Sequence, residues 1–266
     1  MKKYLSLLLL SSSLSLLATP ASAQNNTTLE QIQSSGEFRF CFESGYMPFE
    51  MTDKKGDFIG FDIDIAKAMA KSINVRFVPV NTGWDGIIPA LQTNKCDLIL
   101  GMSVTPERNL SVNFADPYLD AGQTVLIRPE LADTIDSYRQ LNDAAYTVTA
   151  QLGTTGEFAI KRYLSQAKVR LFESSADAAQ EVANGRADGF VYDISYNTVY
   201  AAQNPDRLVH LSQAFTYGPL GWAVRKGDAD YLNFLNNFLR QIKGDGTYDR
   251  LYSKWFESDA WVSRVQ

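Results

Sequence analysis

The sequence has very little of what metal and redox chemistry require. Its 266 residues include one histidine, His210, and two cysteines, Cys41 and Cys96. None of the three stands in a cluster with other potential ligands, and protein metal sites are built from such clusters. We therefore expect no metal site and no cofactor.

The two cysteines are predicted to remain free thiols. Cys41 lies in the middle of a predicted strand, and Cys96 just precedes a different parallel strand. This arrangement would place the two residues apart along the sheet, whereas a disulfide needs closely spaced Cα atoms. We expect two buried or half-buried thiols, with a disulfide as the less favoured alternative.

Long apolar runs are also scarce, and the one that stands out lies at the N-terminus. Two lysines precede a leucine-rich run at residues 4–17, and Ala21-Ser22-Ala23 forms a small-x-small cleavage site. The run is too short and too rich in serine for a stable membrane span. No cysteine follows the cleavage point directly, which argues against a lipid anchor. We expect residues 1–23 to be a signal peptide cleaved after Ala23, which would release a soluble chain into the periplasm.

Positive charge is in deficit. The chain carries 25 lysines and arginines against 30 aspartates and glutamates, and the basic residues form no cluster. Nucleic acids and anionic membranes attract basic surfaces, so this balance argues against both as partners.

The first half of the chain alternates predicted strands and helices. In the helical stretch, Ile63, Ala66, Met69, Ala70 and Ile73 recur at the spacing of one helix face. The predicted elements are a strand at 38–42, a helix at 62–72, a strand at 75–80, a helix at 87–92 and a strand at 97–100. A run of this kind forms a parallel sheet, because each helix returns the chain to the same edge.

The second half predicts another small α/β unit and a C-terminal extension. Strands are expected at 125–127, 146–150, 169–172, 189–192 and 221–225. Helices are expected at 157–165, at 176–184 after a Ser175 cap, at 229–243 and at 248–256. The fold class is therefore α/β with two lobes.

The segment Gly101–Arg108 predicts an anion site. It follows the strand at 97–100, Thr105 suits a helix N-cap, and Pro106 suits the first helical position. Arg108 would then lie in the first turn, beside free backbone N–H groups and the positive end of the helix dipole. An arginine fork there can hold a carboxylate with two parallel bonds. The alternative is a surface arginine near a helix start.

An ordered set of short motifs resembles the periplasmic amino-acid-binding proteins that feed ABC importers, which have the type II solute-binding fold. The matching blocks span nearly the whole chain after residue 23 and keep the order and spacing of that family. They are Pro48-Phe49-Glu50, Gly60 to Asp64, Trp84 to Leu91, Gly101 to Arg108, Phe114 to Tyr118, Gly153-Thr154-Thr155, Gly185 to Asp188, Asp193, Arg225 to Asp228 and Lys254-Trp255-Phe256.

The resemblance implies two Rossmann-like lobes joined by a two-segment hinge. Lobe 1 would comprise residues 24–120 and 217–266, with lobe 2, residues 121–216, inserted between them. The hinge would lie near 118–122 and 216–220. A ligand held between the lobes would favour the closed state, because only that state contacts it from both sides.

The resemblance also implies how an amino acid is held. Arg108 would bind the α-carboxylate, helped by the backbone N–H groups of Ser103 and Thr155. Asp193, the Gly101 carbonyl and the Ser103 hydroxyl would take the α-ammonium group. Met102 and Thr154 complete this part of the predicted site. The alternative for Asp193 is an ordinary residue at a strand end.

The predicted pocket for the ligand side chain favours a cation. Glu43 would meet a distal positive charge, Tyr46 and Trp84 would sandwich the aliphatic stem, and Phe49 and Gln151 would line the same pocket. We expect arginine, lysine or ornithine. Glutamine or another polar neutral amino acid is the alternative, since Glu43 could accept from an amide, and an acidic ligand is disfavoured.

The function predicted from this resemblance is capture of an amino acid and its delivery to an ABC permease by a monomeric protein. A dehydratase that acts on prephenate-like acids has the same fold, and Glu43 could serve it as a general acid. No set of nucleophile, histidine and carboxylate is present, so we predict no enzyme activity. A sensor that reports ligand occupancy to a receptor is a further alternative.

Overall fold

The computed structural model describes residues 27–265, so the predicted signal peptide lies outside the described residues. The strands are, in chain order, β1 (Glu37–Phe42), β2 (Met51–Thr52), β3 (Phe58–Ile59), β4 (Arg76–Asn81), β5 (Leu98–Ser103), β6 (Asn113–Phe114), β7 (Leu119–Asp120), β8 (Gln123–Ile127), β9 (Thr147–Gln151), β10 (Lys168–Phe172), β11 (Gly189–Asp193), β12 (Val209–Leu211) and β13 (Pro219–Val224).

The helices alternate with these strands. They are α1 (Thr28–Ser35), α2 (Phe61–Ser72), α3 (Ile87–Gln92), α4 (Pro106–Asn109), α5 (Thr155–Tyr163), α6 (Ser175–Ala183), α7 (Ile194–Gln203), α8 (Ala229–Gly244), α9 (Thr247–Phe256) and α10 (Val262–Val265). Within residues 27–265, no helix combines the length and the apolar composition needed to span a membrane.

The first sheet has the order β4-β1-β5-β13-β6, with β7 also beside β13. Strands β4, β1 and β5 are parallel, as the alternation of strands and helices predicts. Strand β13 returns from the distant C-terminal part and lies antiparallel to β5, so the sheet is mixed. The carboxyl ends of β1 and β5 therefore meet at one edge, which is where the predicted anion site lies.

The second sheet has the order β10-β9-β11-β8-β12. Strands β10, β9 and β11 are parallel, whereas β8 is antiparallel to both β11 and β12. The register pairs Asp193, the last residue of β11, with Gln123, the first residue of β8. This pairing places Asp193 at the end of the sheet where β8 begins.

The apolar face of α2 packs in the core of the first unit, which is the part of the chain around the first sheet; the second unit is the part around the second sheet. Ile63, Ala66, Met69 and Ala70 are buried against the sheet, as the spacing predicts. The same cluster continues into the second unit through Tyr46, whose ring meets the Tyr192 ring edge-on at 5.9 Å. Aromatic pairs of this geometry stabilise a contact by about 0.5–1.5 kcal/mol beyond their buried area.

Two chain segments cross between the sheets in close contact. The Ala121 N–H donates to the Gly218 carbonyl at 2.7 Å, and the Gln123 N–H donates to the Thr216 hydroxyl at 2.8 Å. A Cβ atom at Gly122 would lie 2.3 Å from the Thr216 carbonyl oxygen. Glycine is therefore required at residue 122 for the two segments to run side by side.

The structure corrects three local predictions. Strand β5 continues through Gly101 to Ser103, because β13 pairs with its last residues. Helix α6 is capped by Ser174 rather than Ser175, and the Ser174 hydroxyl accepts the Asp177 N–H at 3.1 Å. The predicted elements also lack counterparts of helices α1, α7 and α10 and of strands β2, β3, β6, β7 and β12.

The prediction of free thiols is wrong, since Cys41 and Cys96 form a disulfide with Cα atoms 5.7 Å apart. Strands β1 and β5 are immediate neighbours, and the Asp97 N–H already donates to the Arg39 carbonyl at 2.9 Å before β5 begins. Cys96 therefore lies beside β1, where it packs with Cys41 and Ile87. The prediction failed because it did not place the two strands side by side.

Candidate functional site

A cavity of about 20 Å³ lies between the two sheets, at the carboxyl ends of strands β1, β5 and β11. Strand β1 leads into the loop with Glu43 and Tyr46, β5 supplies Gly101 and Ser103, and β11 ends at Asp193. The cavity is lined by Glu43, Tyr46, Glu50, Trp84, Leu100, Gly101, Ser103, Arg108, Thr154, Thr155, Tyr192 and Asp193. Its walls are both charged and aromatic.

Arg108 lies in the short helix α4, as the sequence predicts. The Thr105 hydroxyl accepts the Arg108 backbone N–H at 3.2 Å, which confirms the predicted cap. Arg108 is 7% exposed, and its guanidinium donates to the carbonyls of Ser103 at 2.9 Å and Gly153 at 3.1 Å and lies 5.1 Å from the Trp84 ring centroid. Burial lowers the pKa of Arg108 to about 10, so it stays protonated at neutral pH. Two of its five donors are used by these carbonyls, and the others can serve an anion.

Asp193 supplies the opposite charge from the second sheet. Asp193 is 6% exposed, and its carboxylate accepts from the Tyr46 hydroxyl and from the Gln123 side-chain amide. Burial raises the pKa of Asp193 to about 6, an effect opposed by the two hydrogen bonds and by the charge of Arg108. Asp193 is therefore ionised at neutral pH and titrates just below it.

The two charges face one cavity from opposite sheets. Ser103 and Thr155 approach each other there, with their hydroxyl oxygens 3.4 Å apart. Thr155 is the first residue of α5, whose N-terminal N–H groups have no partner within the helix. The cavity thus presents a cation and helix N–H groups for an anion, and a carboxylate for a cation.

Glu43 lies at another part of the cavity wall. Its two carboxylate oxygens accept the Trp84 backbone N–H at 3.1 Å and the Gln151 amide at 2.7 Å. Burial raises the pKa of Glu43 above its usual value, and both hydrogen bonds oppose the rise. Gln151 in turn accepts from the Tyr192 hydroxyl at 3.1 Å, so Glu43 belongs to a network that spans both sheets.

Side-chain contacts hold the two units against each other around the cavity. The Trp84 indole N–H donates to the Gly153 carbonyl at 3.1 Å, in addition to the bonds of Arg108 to Gly153 and of Tyr46 to Asp193. A cavity of about 20 Å³ holds roughly one water molecule. An amino acid therefore enters only if these contacts separate.

The structure brings nine predicted site residues to the cavity and leaves three behind it. Gln151 reaches it through Glu43, whereas Phe49 is fully buried under the Tyr46 ring, with 4.5 Å between the ring centroids. The Met102 side chain packs on the opposite face of β5 with Cys41 and Ile87. Gly101 has a positive φ of 61° and the pairing of β5 with β13 shifts register there, so the strict alternation of side chains is interrupted. Leu100, Gly101 and Ser103 line the cavity, whereas Met102 packs with Ile99.

Four residues near the site were not predicted. Glu50, Leu100 and Tyr192 line the cavity, and Gln123 bonds to Asp193 from behind. Two of them were open to prediction from their neighbours, since Glu50 ends the Pro48-Phe49-Glu50 motif and Tyr192 precedes Asp193. Gln123 carries no comparable signal, because it reaches Asp193 only through the antiparallel pairing of β8 with β11.

Fold and cavity together define a protein of the type II periplasmic solute-binding class. The chain belongs to the bacterial extracellular solute-binding proteins, family 3, whose family model matches residues 38–258.

Named relatives agree with this assignment. The chain is 31% identical to the "Probable histidine-binding protein" of Neisseria gonorrhoeae, over 97% of each chain. It is 32% identical to ABC transporter arginine-binding protein 1 of Escherichia coli, over 83% of this chain and 90% of the relative. A lysine complex of a binding component assigned to an ABC transporter of Wolinella succinogenes has a TM-score of 0.83 and 47% identity, and it covers 86% of this chain and 99% of its own.

Two further matches concern catalysis on this fold. A reconstructed ancestral amino-acid-binding protein, described as a precursor of cyclohexadienyl dehydratase, has 49% identity and a TM-score of 0.82 over 86% of this chain and all of its own. The cyclohexadienyl dehydratase of Pseudomonas aeruginosa is 23% identical over 92% of this chain and 91% of its own. The more similar of the two is described as a binding protein.

Proposed function

We propose that this protein captures an L-amino acid with a cationic side chain between its two units and delivers it to an ABC permease. The observation that carries the proposal is the placement of Arg108 and Asp193, one from each sheet, on the same cavity. A zwitterion satisfies both charges only when it contacts both sheets. Binding and closure are thereby coupled.

Arg108 binds the α-carboxylate in this proposal, together with the N–H groups of Ser103 and Thr155. The α-ammonium group is held by Asp193, the Gly101 carbonyl and the Ser103 hydroxyl. Support comes from the guanidinium donors of Arg108 that have no partner within residues 27–265, and from the N-terminus of α5, whose partial positive charge favours an anion.

Glu43 receives the distal cation of the ligand. Tyr46 and Trp84 line the cavity beside it and offer ring faces to an aliphatic stem or a guanidinium. The names of the arginine-binding relative and of the lysine complex favour arginine, lysine or ornithine. Glutamine is the alternative, because Glu43 already accepts from the amide of Gln151 and could accept from a ligand amide in the same way.

The two units act as closing lobes. We assign residues 24–120 and 217–266 to the first lobe and residues 121–216 to the second. The paired segments near 118–122 and 216–220 form the hinge. This division is supported by the separate sheets on either side and by the backbone contact between Ala121 and Gly218.

Export follows from the N-terminal sequence, with residues 1–23 removed as a signal peptide and the chain active in the periplasm as a monomer. Its partners are the amino acid and the membrane subunits of the permease. Catalysis is no part of the proposal, because the placement of Asp193 and Arg108 on one cavity suits the two charges of an amino acid. Incubation with prephenate should yield no phenylpyruvate, and turnover would instead support a dehydratase.

The proposal is tested by a thermal-shift panel on residues 24–266 after removal of any bound ligand. The panel comprises the twenty amino acids and ornithine. An upward shift with arginine, lysine or ornithine that is lost in Glu43→Gln supports the cationic ligand. A shift with glutamine alone assigns Glu43 to an amide, and no shift with any amino acid contradicts the proposal. Glu181→Gln, far from the cavity in the ion pairs of Arg170 and Arg186, is the matched control.

A further inference from the structure

Two buried carboxyl groups lie behind the proposed clamp, which is the pair Arg108 and Asp193, and the proposed function gives them no role. Glu50 lines the cavity and is 1% exposed, and Asp62 in the first turn of α2 is completely buried. Among residues 27–265, neither has a lysine or arginine within ion-pair distance. Two carboxylates buried together without a cation cannot both be ionised at low cost.

Within the described part of the chain, the hydrogen bonds of the two carboxyl groups leave one oxygen of each without a donor. Asp62 Oδ2 accepts the Tyr118 hydroxyl at 2.6 Å. Among residues 27–265, Glu50 Oε1 and Asp62 Oδ1 are both buried without a donor, although the two carboxyl groups interact with each other. One proton held between the two groups supplies the missing donor.

The pKa values of the two groups indicate that Glu50 holds this proton. Burial, the charge of Asp62 and, more weakly, the charge of Glu43 raise the pKa of Glu50 well above its usual range. Burial raises the pKa of Asp62 only to about 7, because the Tyr118 hydroxyl, Glu50 and the Gly101 N–H stabilise its ionised form. The titratable groups facing the pair are Glu43 and Tyr46 on the cavity side, and Tyr118 and Tyr248 behind it.

We propose that Glu50 is a neutral carboxylic acid that shares its proton with Asp62 and faces the ligand as a hydrogen-bond acceptor. The Glu50 carboxyl lies directly against Gly101, where an added Cβ would be 2.8 Å from Glu50 Oε1. In the proposed function, the α-ammonium group lies at the Gly101 carbonyl, so the proposal rests on that function for its ligand. Asp193 then supplies the full charge to the ammonium group, and Glu50 supplies an uncharged oxygen.

Two substitutions at residue 50 separate this role from simple packing. Glu50→Gln keeps the shape, can donate to Asp62 and still presents a carbonyl oxygen to the cavity. Its affinity for the amino acid should stay within about threefold of that of the unchanged protein. Glu50→Leu removes both donor and acceptor and should weaken binding about tenfold or more, since a hydrogen bond to a charged group is lost. Calorimetric titration gives the affinities, and circular dichroism establishes that both variants are folded.

Infrared difference spectroscopy tests the proton directly and needs no ligand. The carbonyl stretch of a protonated carboxylic acid should be present at neutral pH and should disappear in Glu50→Gln. Glu181→Gln is the matched control, because Glu181 is also buried but is paired with Arg170 and Arg186, which hold its pKa below the usual value. That variant should leave the band unchanged.

Each negative result contradicts a separate part of the proposal. A spectrum without a protonated-acid band that depends on Glu50 overturns the neutral acid. Equal losses of affinity in Glu50→Gln and Glu50→Leu show that an ionised Glu50 is needed, and equal affinities in all three proteins overturn the contact with the ligand. If the unchanged protein binds no amino acid, the ligand contact fails together with the proposed function, while the infrared result still decides where the proton lies.

Discussion

Arg108 makes structural contacts through the same side chain that we propose binds the ligand. Two of its donors bind the Ser103 and Gly153 carbonyls, one on each side of the cavity, and its guanidinium carbon lies 5.1 Å from the Trp84 ring centroid. Lysine has one donor group of different geometry and cannot make this set of contacts. At the residue scale, the site depends on the shape of this side chain as well as on its charge.

Replacing Arg108 with methionine should weaken amino-acid binding by about 2–5 kcal/mol, because the ligand carboxylate would be buried without a partner. Calorimetric titration measures this loss. Arg76→Met is the matched control, since Arg76 makes an exposed ion pair with Glu37 and should leave affinity unchanged. An affinity of Arg108→Met within threefold of the unchanged protein would contradict the assigned role.

Asp193 should make binding weaken as the pH falls below about 6. Its pKa is about 6, and protonation removes the charge that we propose holds the ammonium group. Affinity should drop up to tenfold per pH unit once the carboxyl is protonated in the free protein. The measurement is a series of calorimetric titrations with the amino acid from about pH 7.5 to 4.5. The same series on Glu43→Gln separates the effect of Asp193 from that of Glu43, because the pKa of Glu43 is also raised. A flat profile in both proteins would count against Asp193.

Asp193→Asn should bind poorly and yet be more stable without ligand. The pKa of Asp193 is raised on folding from about 3.8 to about 6, so the contribution of this group to stability is fully present below pH 3.8 and is lost as the pH rises through 6. Asparagine avoids this loss, and the free energy of unfolding at pH 7 should rise by about 1–3 kcal/mol. Urea denaturation at pH 7 and pH 4 measures it. A lower stability at pH 7 than that of the unchanged protein would contradict the account.

At the scale of elements, the close approach of the two crossing segments depends on Gly122 and Gly218. An added Cβ at either residue would lie 2.3 Å from a backbone carbonyl oxygen of the other segment. The segments also meet the site, since the Gln123 backbone bonds to Thr216 while its side chain bonds to Asp193. Movement of these segments would therefore also move Asp193, because Gln123 contacts both.

Gly122→Ala should lower the free energy of unfolding by more than about 2 kcal/mol and weaken ligand binding, because the segments must separate to admit the Cβ. Gly244→Ala is the control, since Gly244 is the last residue of α8 and an added Cβ there would meet open space. Alanine there should be neutral or stabilise by about 0.5–1 kcal/mol. Chemical denaturation and calorimetry measure both variants. Equal stability of the two variants would show that the crossing is not tightly packed.

The disulfide fixes β1 to the turn before β5, the two strands that carry Glu43 and Gly101. It closes a loop with a sequence separation of 55 residues, and a loop of that length corresponds to about 4 kcal/mol in the chain-entropy account. A Cys41→Ala, Cys96→Ala variant should lose about 2–5 kcal/mol, measured by urea denaturation. Reductant should destabilise the unchanged protein and leave the variant unaffected. Equal stability of the two proteins would contradict this contribution.

The elements differ in how far the sequence could predict them. Helix α2 and the capped start of α4 were predictable, because their signals are local: a repeated apolar spacing, a threonine and a proline. The disulfide, the length of β5 and the position of Gln123 depend on which strands become neighbours. That information lies in pairings such as β13 with β5, between residues far apart in the chain, and no local pattern encodes it.

At the scale of the whole molecule, the two sheets are closed on each other around a cavity that holds about one water molecule. The contacts across it use the same groups that the proposal assigns to the ligand, including Tyr46 with Asp193 and Glu43 with Gln151. A ligand therefore replaces these contacts instead of adding to a preformed pocket. Its net affinity reflects the difference between the two sets of interactions.

The central claim is that the two lobes hold the zwitterionic end of a cationic amino acid. Calorimetric titration of ligand-stripped residues 24–266 with L-arginine, D-arginine and decarboxylated arginine tests it most directly, with the same series repeated for lysine. We expect one L-amino acid to bind well, its D-enantiomer more weakly, and the decarboxylated form at least a hundredfold more weakly, because only the full L-zwitterion satisfies Arg108 and Asp193 together. Equal binding of the decarboxylated form, or no binding of either L-amino acid, would contradict the claim.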